Sequence, residues 1–224
     1  MSQDQIFATS ESDQWFTRNR AVLDTGHLER DLPLKLFDMY QLRPASVLEI
    51  GSANGYRLEA IRTRCNCEVT GVEPSSQAIA DGQSRYPAIK FIHSTAAAIP
   101  IIEKTFDLVI VNFVLHWIDR STLMRSIAEI DRLLADGGHL ILGDFSPETP
   151  GRVGYRHLPD GQVYTFKQQY DSIFIASGLY HLVARLTGNV ETKQLDPDVD
   201  GGKRMGVSLL KKSFHENYVF VEAV

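Results

Sequence analysis

Cysteine is almost absent from this chain: its 224 residues include only Cys65 and Cys67. A single C-x-C with no second pair builds neither a disulfide framework nor a tetrahedral zinc site, so both read as free thiols and no metal is expected. Basic residues are also in deficit. Lysine and arginine total 23 against 28 acidic residues, a formal net charge of −5, and no run of cations offsets it. That excludes the electrostatic footprint of a nucleic-acid-binding protein. No uncharged apolar stretch reaches membrane-spanning length. The opening MSQDQIFATSESDQWF has neither the basic region nor the apolar region of a leader peptide. Repeats and low-complexity tracts are missing as well. A cytoplasmic protein with no nucleic-acid and no membrane partner is therefore expected. The content is 43% hydrophobic, in a chain long enough to bury one sizeable core.

From about residue 45 to residue 145, strand-like and helix-like segments alternate, the pattern of a parallel sheet covered on both faces. Ser46 to Ile50 is a short apolar run ending in glycine, and Leu58 to Arg64 is helix-compatible. Glu68 to Glu73 forms the second strand, and in Pro74-Ser75-Ser76 a serine is placed to cap the helix Gln77 to Arg85. Ile89 to His93 is the third strand. The fourth, Phe106 to Asn112 (FDLVIVN), has the continuous apolar character of a strand buried on both faces, and a loop or short helix separates the two. Ser121 opens a helix with Leu123, Ile127, Ile130 and Leu134 at helical spacing, and Gly137-Gly138 ends it before the strand His139 to Gly143. Five βα repeats result.

After Asp144 the rhythm changes. Pro159-Asp160-Gly161 is a turn signal between Arg152 to His157 and Gln162 to Phe166, which predicts a hairpin or ordered loop inserted after the fifth strand, followed by a helix over Phe166 to Ala176. Tyr180 to Leu186 and Met205 to Lys211 have strand composition and are expected as neighbours at a sheet edge.

The segment V-L-E-I-G-S-A-N-G (47 to 55) is the centre of the functional argument. In an open parallel sheet the turn after the first strand is the expected ligand loop. A dinucleotide site needs G-x-G-x-x-G so that backbone can approach a pyrophosphate at a helix N-terminus, but Ala53 occupies the middle glycine position here. A ligand with a nucleoside and an amino-acid tail, and no phosphate, makes no such demand. It needs close backbone approach and a carboxylate for its ribose hydroxyls. Glu73 follows Glu49 by about 24 residues, close to the interval of about 20 at which an acidic side chain meets a ribose. The pair fits S-adenosylmethionine, with S-adenosylhomocysteine as product.

With G-V-E-P-S (71 to 75), F-D-L-V-I-V-N-F-V-L-H-W (106 to 117) and R-L-L-A-D-G-G-H-L (132 to 140), the chain resembles the class I S-adenosylmethionine-dependent methyltransferases. The resemblance implies an α/β, Rossmann-like three-layer sandwich. Its seven-stranded, mostly parallel sheet has an antiparallel last strand, an N-terminal helical cap and an insert after strand 5. It also implies one domain over 1–224, divided into a cap (1–40), a cofactor-binding core (41–145), an insert or lid (146–170), edge strands (171–213) and a tail (214–224). By this likeness Glu49, Gly51, Ser52, Ala53, Asn54 and Gly55 face the methionine portion, Glu73 faces the ribose hydroxyls, and Pro74 is a further cofactor-binding residue. Ser94, Thr95 and Ala96 face the adenine, while Asn112 and Phe113 line the floor near the sulfonium. Thr95 stands where the family often has an aspartate.

W-F-T-R-N (15 to 19), D-F-x-P (144 to 147) and the aromatic run from Tyr155 to Tyr170 resemble a bacterial subgroup of small methyltransferases whose members often look like accessory enzymes of glycan or secondary metabolite pathways. Trp15, Phe16, Arg18, Asn19, Tyr155, Tyr164 and Tyr170 are then substrate or lid residues, and His116 and His157 are the candidate bases. The expected reaction is in-line methyl transfer to a small-molecule acceptor, oxygen or nitrogen favoured, by a monomer or homodimer. The competing readings are an adenosylmethionine-binding regulatory module without turnover, an aminopropyl-type transferase sharing the fold, and, least favoured by the glycine spacing, a nicotinamide oxidoreductase.

Overall fold

The computed structural model describes residues 1–24, 28–158, 161 and 163–221. The chain begins with α1 (Gln3–Ile6), a π-type turn at Phe7–Glu11 and α2 (Ser12–Asp24), followed by α3 (Leu32–Met39). Asp31 caps α3 through Leu34 N–H, and Pro33 sits in its first turn, where a missing N–H costs nothing. Then come β1 (Ser46–Ile50), α4 (Tyr56–Cys65), β2 (Glu68–Glu73), α5 (Ser76–Arg85), β3 (Lys90–His93), β4 (Phe106–Asn112), α6 (Leu123–Leu133) and β5 (Leu134–Phe145). A hairpin of β6 (Gly151–Gly154) and β7 (Tyr164–Lys167) follows, then α7 (Asp171–Ala176), β8 (Tyr180–Asn189) and β9 (Arg204–Lys212).

The main sheet has seven strands in the order β3-β2-β1-β4-β5-β9-β8. β1 to β5 run parallel, and β9 is antiparallel to both its neighbours, as the resemblance implies. Alternation along β1 assigns the faces. Leu48 and Ile50 join Val109, Val111, Leu140 and Leu142 beneath α6 and α7. Val47 joins Leu108, Ile110 and Ile141 beneath α3 and α4. Truncating one of these wholly buried leucines costs about 2–5 kcal/mol. Strand order reverses between β1 and β4, so the crevice for a ligand opens at their carboxyl ends.

Several expected boundaries move. The helix read as ending at Gly137-Gly138 stops at Leu133; both glycines lie inside β5, Gly137 at φ +75, next to a register shift between Phe106 and Leu108. Ser121 does not cap α6. Its N–H and hydroxyl both donate to Asp119 Oδ1, at 3.0 and 2.7 Å, and the helix opens at Leu123. The helix expected from Phe166 begins only at Asp171, because Phe166 pairs with Arg152 across the hairpin. Five βα repeats become five strands with regular helices after β1, β2 and β4 only. Between β3 and β4, Ala96 to Ile99 is too short before Pro100 to nucleate a helix. Ser75 caps α5 as expected, through Ala78 N–H. Of the expected turn, Pro159 and Asp160 lie outside the described residues. α3 packs on the sheet face beside α4 and not over the strand ends.

Candidate active site

The loop after β1 is built from left-handed backbone. Gly51 and Gly55 have φ of +74 and +81, and a Cβ on Gly51 would overlap Val114 Cγ2, while one on Gly55 would lie 2.8 Å from Phe91. Ala53, at φ +49, takes the same region without glycine's freedom, a conformation that costs an ordinary residue of order 1 kcal/mol. The compensation is visible. Ala53 N–H donates to Glu73 Oε2 at 2.8 Å, and Ser75 N–H donates to Oε1 at 2.9 Å. Glu73 thus spans the loop and the β2 end, and each oxygen keeps a lone pair for a hydroxyl. Burial pushes its carboxyl up to about 7, against the pull of those two N–H groups.

Glu49 lies on the α4 side of β1 and is buried. Arg57, at the start of α4, pairs with Glu49 Oε1 and reaches Asp31 Oδ2 at 2.8 Å; Tyr56 also donates to Asp31, at 3.0 Å. Burial pushes Glu49 to about 7 even beside the arginine, and the two carboxylates hold Arg57 well above its usual value against burial. Glu49 Oε2 has no partner.

At the β4 end, Asn112 Oδ1 is buried and unpartnered, held where a Cβ on Gly143 would overlap it. Phe113 follows in the left-handed region, at φ +55, a strained position for a bulky residue. It turns the chain so that His116 enters a ring cluster, with centroids 5.7 Å from Phe113, 5.1 Å from Phe145 and 4.4 Å from Trp117. His116 N–H donates to Asp144 Oδ2 at 3.2 Å. Its Nδ1 comes within 3.0 Å of Asp144 Oδ1, but off the line a hydrogen bond requires, so the nitrogen remains unpartnered.

The N-terminal segment covers this crevice. Asp13 accepts from Ser75 Oγ at 2.7 Å and Gln77 N–H at 3.1 Å, pinning α2 to the α5 cap. Gln3 donates to Trp117 O and Tyr164 O, at 2.7 and 2.8 Å, tying the first turn to the hairpin. Phe7, in the π-type turn, stacks on Trp117 at 5.2 Å. Trp15 meets Trp117 edge-on at 6.4 Å, and Phe16 is buried. Arg18 pairs with buried Glu11, and both reach the Tyr155 hydroxyl, which donates to Glu11 at 2.7 Å and accepts from Arg18 at 3.1 Å.

The remaining candidates are placed differently. Asn19 bonds its own helix through Trp15 O. Tyr164 stands on the hairpin under Arg152. Tyr170 lies in the main core, its hydroxyl donating to Phe166 O. His157 is a loop residue bonded to Arg156, and the Tyr155 and Trp117 rings stand between it and His116. Ser94 donates its hydroxyl to Ala98 O beside the β3 end, Ala96 is buried, and the Pro74 carbonyl bonds His93.

Among the described residues six buried side-chain atoms lack a hydrogen-bond partner: Glu11 Oε2, Glu49 Oε2, Ser52 Oγ, Asn54 Oδ1, Asn112 Oδ1 and His116 Nδ1. An orphaned buried group costs about 1–3 kcal/mol, so such a group calls for an explanation. All but Glu11 belong to the loop or to the β1 and β4 ends. That set suits a ligand bearing an amino-acid group and ribose hydroxyls. No group of three or more His, Cys, Asp or Glu among the described residues is placed to hold a metal, and both cysteines are free. No described helix is long and apolar enough to cross a membrane. Sequence reading missed Asp31, Arg57, Asp13, Glu11 and Asp144. Arg57 in the first turn after Gly55 was the one local signal available, since a cation is unfavourable at a helix N-terminus without a carboxylate nearby.

The profile of a family described as "Methyltransferase domain" matches residues 48–142, from β1 into β5. Malonyl-[acyl-carrier protein] O-methyltransferase of Enterobacter lignolyticus is 33% identical over 98 residues, 44% of this chain and 38% of that protein. Demethylmenaquinone methyltransferase of Renibacterium salmoninarum is 29% identical over 130 residues, 58% of this chain and 54% of its own. The chain therefore spans from under two fifths to just over half the length of these curated relatives. Among solved structures, the 1,6-didemethyltoxoflavin-N1-methyltransferase of Burkholderia thailandensis, with bound 1,6-didemethyltoxoflavin and S-adenosylhomocysteine, shares the fold at a TM-score of 0.68 and 16% identity, over 95% of this chain and 91% of that one.

Proposed function

We propose that the chain is a class I S-adenosylmethionine-dependent methyltransferase that methylates a small-molecule acceptor, at oxygen or nitrogen, in the cytoplasm as a monomer or homodimer; the methyltransferase-domain match over residues 48–142 supports this. The observation that carries this reading is the set of orphaned polar atoms gathered at the β1 and β4 ends around a left-handed loop. S-adenosylmethionine, when bound, supplies a methyl group already activated by its sulfonium.

The chain's own residues do the rest. Glu73 accepts the ribose hydroxyls, the unpartnered Glu49 Oε2 and Asn54 Oδ1 accept from the ammonium of the amino-acid end, and Ser94 to Ala96 border the adenine. Asn112 and Phe113 form the floor against which an acceptor is positioned; positioning is the largest contribution a protein makes to such a displacement. The layer of Phe7, Trp15, Tyr155 and Trp117 excludes water. His116, steadied by its backbone bond to Asp144, is placed to take the proton of a hydroxyl or amine acceptor. His157, on its exposed loop, is left with an outer role. The small, aromatic cap supports a small acceptor over a polymer. Its tight packing also supports a second reading, cofactor binding without turnover, which an acceptor screen separates from the first.

Calorimetric titration with S-adenosylhomocysteine and, in parallel, NAD tests the reading on wild type and Glu73→Ala. Micromolar binding of the former alone, much weakened in the variant, is expected. No binding of S-adenosylhomocysteine to the wild type overturns it.

A further inference from the structure

Two lysines reach the aromatic region around His116 from separate segments, and neither has an ion-pairing carboxylate among the described residues. Lys193, in the loop between β8 and β9, places Nζ 4.6 Å from the centroid of Phe113. Lys167, at the end of β7, places Nζ 4.5 Å from that of Phe145. Those two rings meet edge to face at 5.4 Å, and both flank His116. The ammonium groups therefore bracket one aromatic wall beside the β4 end. Neither forms an ion pair among the described residues; Lys167 has only a 3.4 Å bond to Gly202 O.

Three acidic residues of the Lys193 loop have partners other than these lysines, and a fourth, Asp198, is exposed. Glu191 pairs with Lys203 at 2.8 Å, Asp200 accepts from Gly202 N–H at 2.7 Å, and Asp196 accepts from Asp198 N–H at 3.1 Å. Glu148 lies 3.4 Å from Arg204, and Asp144 accepts from Phe145 and His116 N–H. Lys193 is an exposed residue, and the partial desolvation of its ammonium over the Phe113 ring pulls its pKa below the usual lysine value. A lone cation on a ring is ordinary surface packing. Here two ammonium groups from different segments lie on one ring pair, and neither has an ion-pair partner among the described residues.

Resting on the methyl-transfer reading of this crevice, we propose that the acceptor is a small organic acid whose carboxylate is held between Lys193 and Lys167, with its nucleophilic atom toward His116. An ammonium-bearing acceptor would meet repulsion from both lysines, and buried Glu11 of the cap already engages Arg18 and Tyr155 through Oε1.

The test is calorimetric titration, with and without S-adenosylhomocysteine, of benzoate, salicylate and succinate against their uncharged amides. It uses wild type, the double variant K193Q/K167Q and the control K104Q, whose lysine pairs with Glu68 on another part of the surface. At least one acid is expected to bind about tenfold more tightly than its amide, the worth of one charge-assisted contact. The double variant should reduce that preference below about threefold while keeping wild-type affinity for S-adenosylhomocysteine, and K104Q should retain it. No acid preference in the wild type, or one that survives the double substitution, overturns the proposal. Acid preference without S-adenosylhomocysteine binding would instead remove the methyl-transfer reading and leave the anion site standing.

Discussion

Glutamine in place of Glu73 keeps the side chain's size and removes its titration. Glu73 is 7% exposed, and burial pushes its carboxyl from 4.5 to about 7. An acid whose folded pKa is raised holds its proton in the folded state while the unfolded chain has already lost it. Stability therefore falls as pH rises from the unfolded to the folded value, and the whole penalty is present above the latter. Between about pH 5.5 and about pH 8.5, a shift of this size lowers the unfolding free energy by about 2 kcal/mol. Glu73→Gln should lose that part of the pH slope and keep the part due to Glu49, which burial also raises to about 7.

The amide brings an opposite cost. One of the two backbone N–H groups that now donate to the carboxylate would face an NH2 instead, at about 1–3 kcal/mol. On the proposed role of Glu73 at the ribose, two charge-assisted bonds from hydroxyls would give way to at most one neutral acceptor, a loss of about 2 kcal/mol or about 30-fold in affinity for S-adenosylhomocysteine. Urea unfolding followed by circular dichroism at the two pH values, with calorimetric titration, reads both effects. An unchanged pH slope, or affinity within about threefold of wild type, would refute the reasoning.

Gly51→Ala places a Cβ against Val114 on a backbone at φ +74 and should cost about 1–3 kcal/mol in urea unfolding; a loss within measurement error would show that the loop relaxes freely. Arg57→Met strands Asp31 and Glu49 in the interior, so thermal unfolding should report about 3–5 kcal/mol. A variant as stable as wild type would mean that both carboxylates are already neutral. Asp13→Ala removes the acceptor for Ser75 and Gln77. Limited proteolysis should then cut within residues 1–24 about tenfold faster, and unchanged cleavage would assign the cap's closure to its aromatic contacts alone. Once an acceptor is found, His116→Asn should lower kcat by about 10²-fold while His157→Ala leaves it within about threefold; the reverse order would move the base to the hairpin.

Much of the fold could be read from local sequence because local rules decide it. FDLVIVN is apolar on both faces and short, so it becomes a strand covered on both sides. Ser75 stands where a cap is needed and caps. Boundaries moved where pairing overrode propensity: Gly137-Gly138 looks like a helix stop, yet the β5 ladder takes it in, and Phe166 is drawn from an expected helix into the hairpin.

The cofactor end of the site belongs to the same local class. Val47 to Gly55 and Glu73 sit on adjacent strands of one βαβ unit, so their spacing along the chain fixes their meeting in space. The sequence by itself thus determined the parallel sheet, the ligand loop and the carboxylate opposite it. Only the tertiary structure decided what surrounds them. Arg57 joins Asp31 and Glu49 from three separate elements, Glu11 meets Tyr155 across 144 positions, and Lys193 and Lys167 reach the Phe113 and Phe145 ring pair from separate segments. Such contacts depend on how whole layers stack and on which long side chains the closed cap desolvates. A local sequence pattern constrains neither.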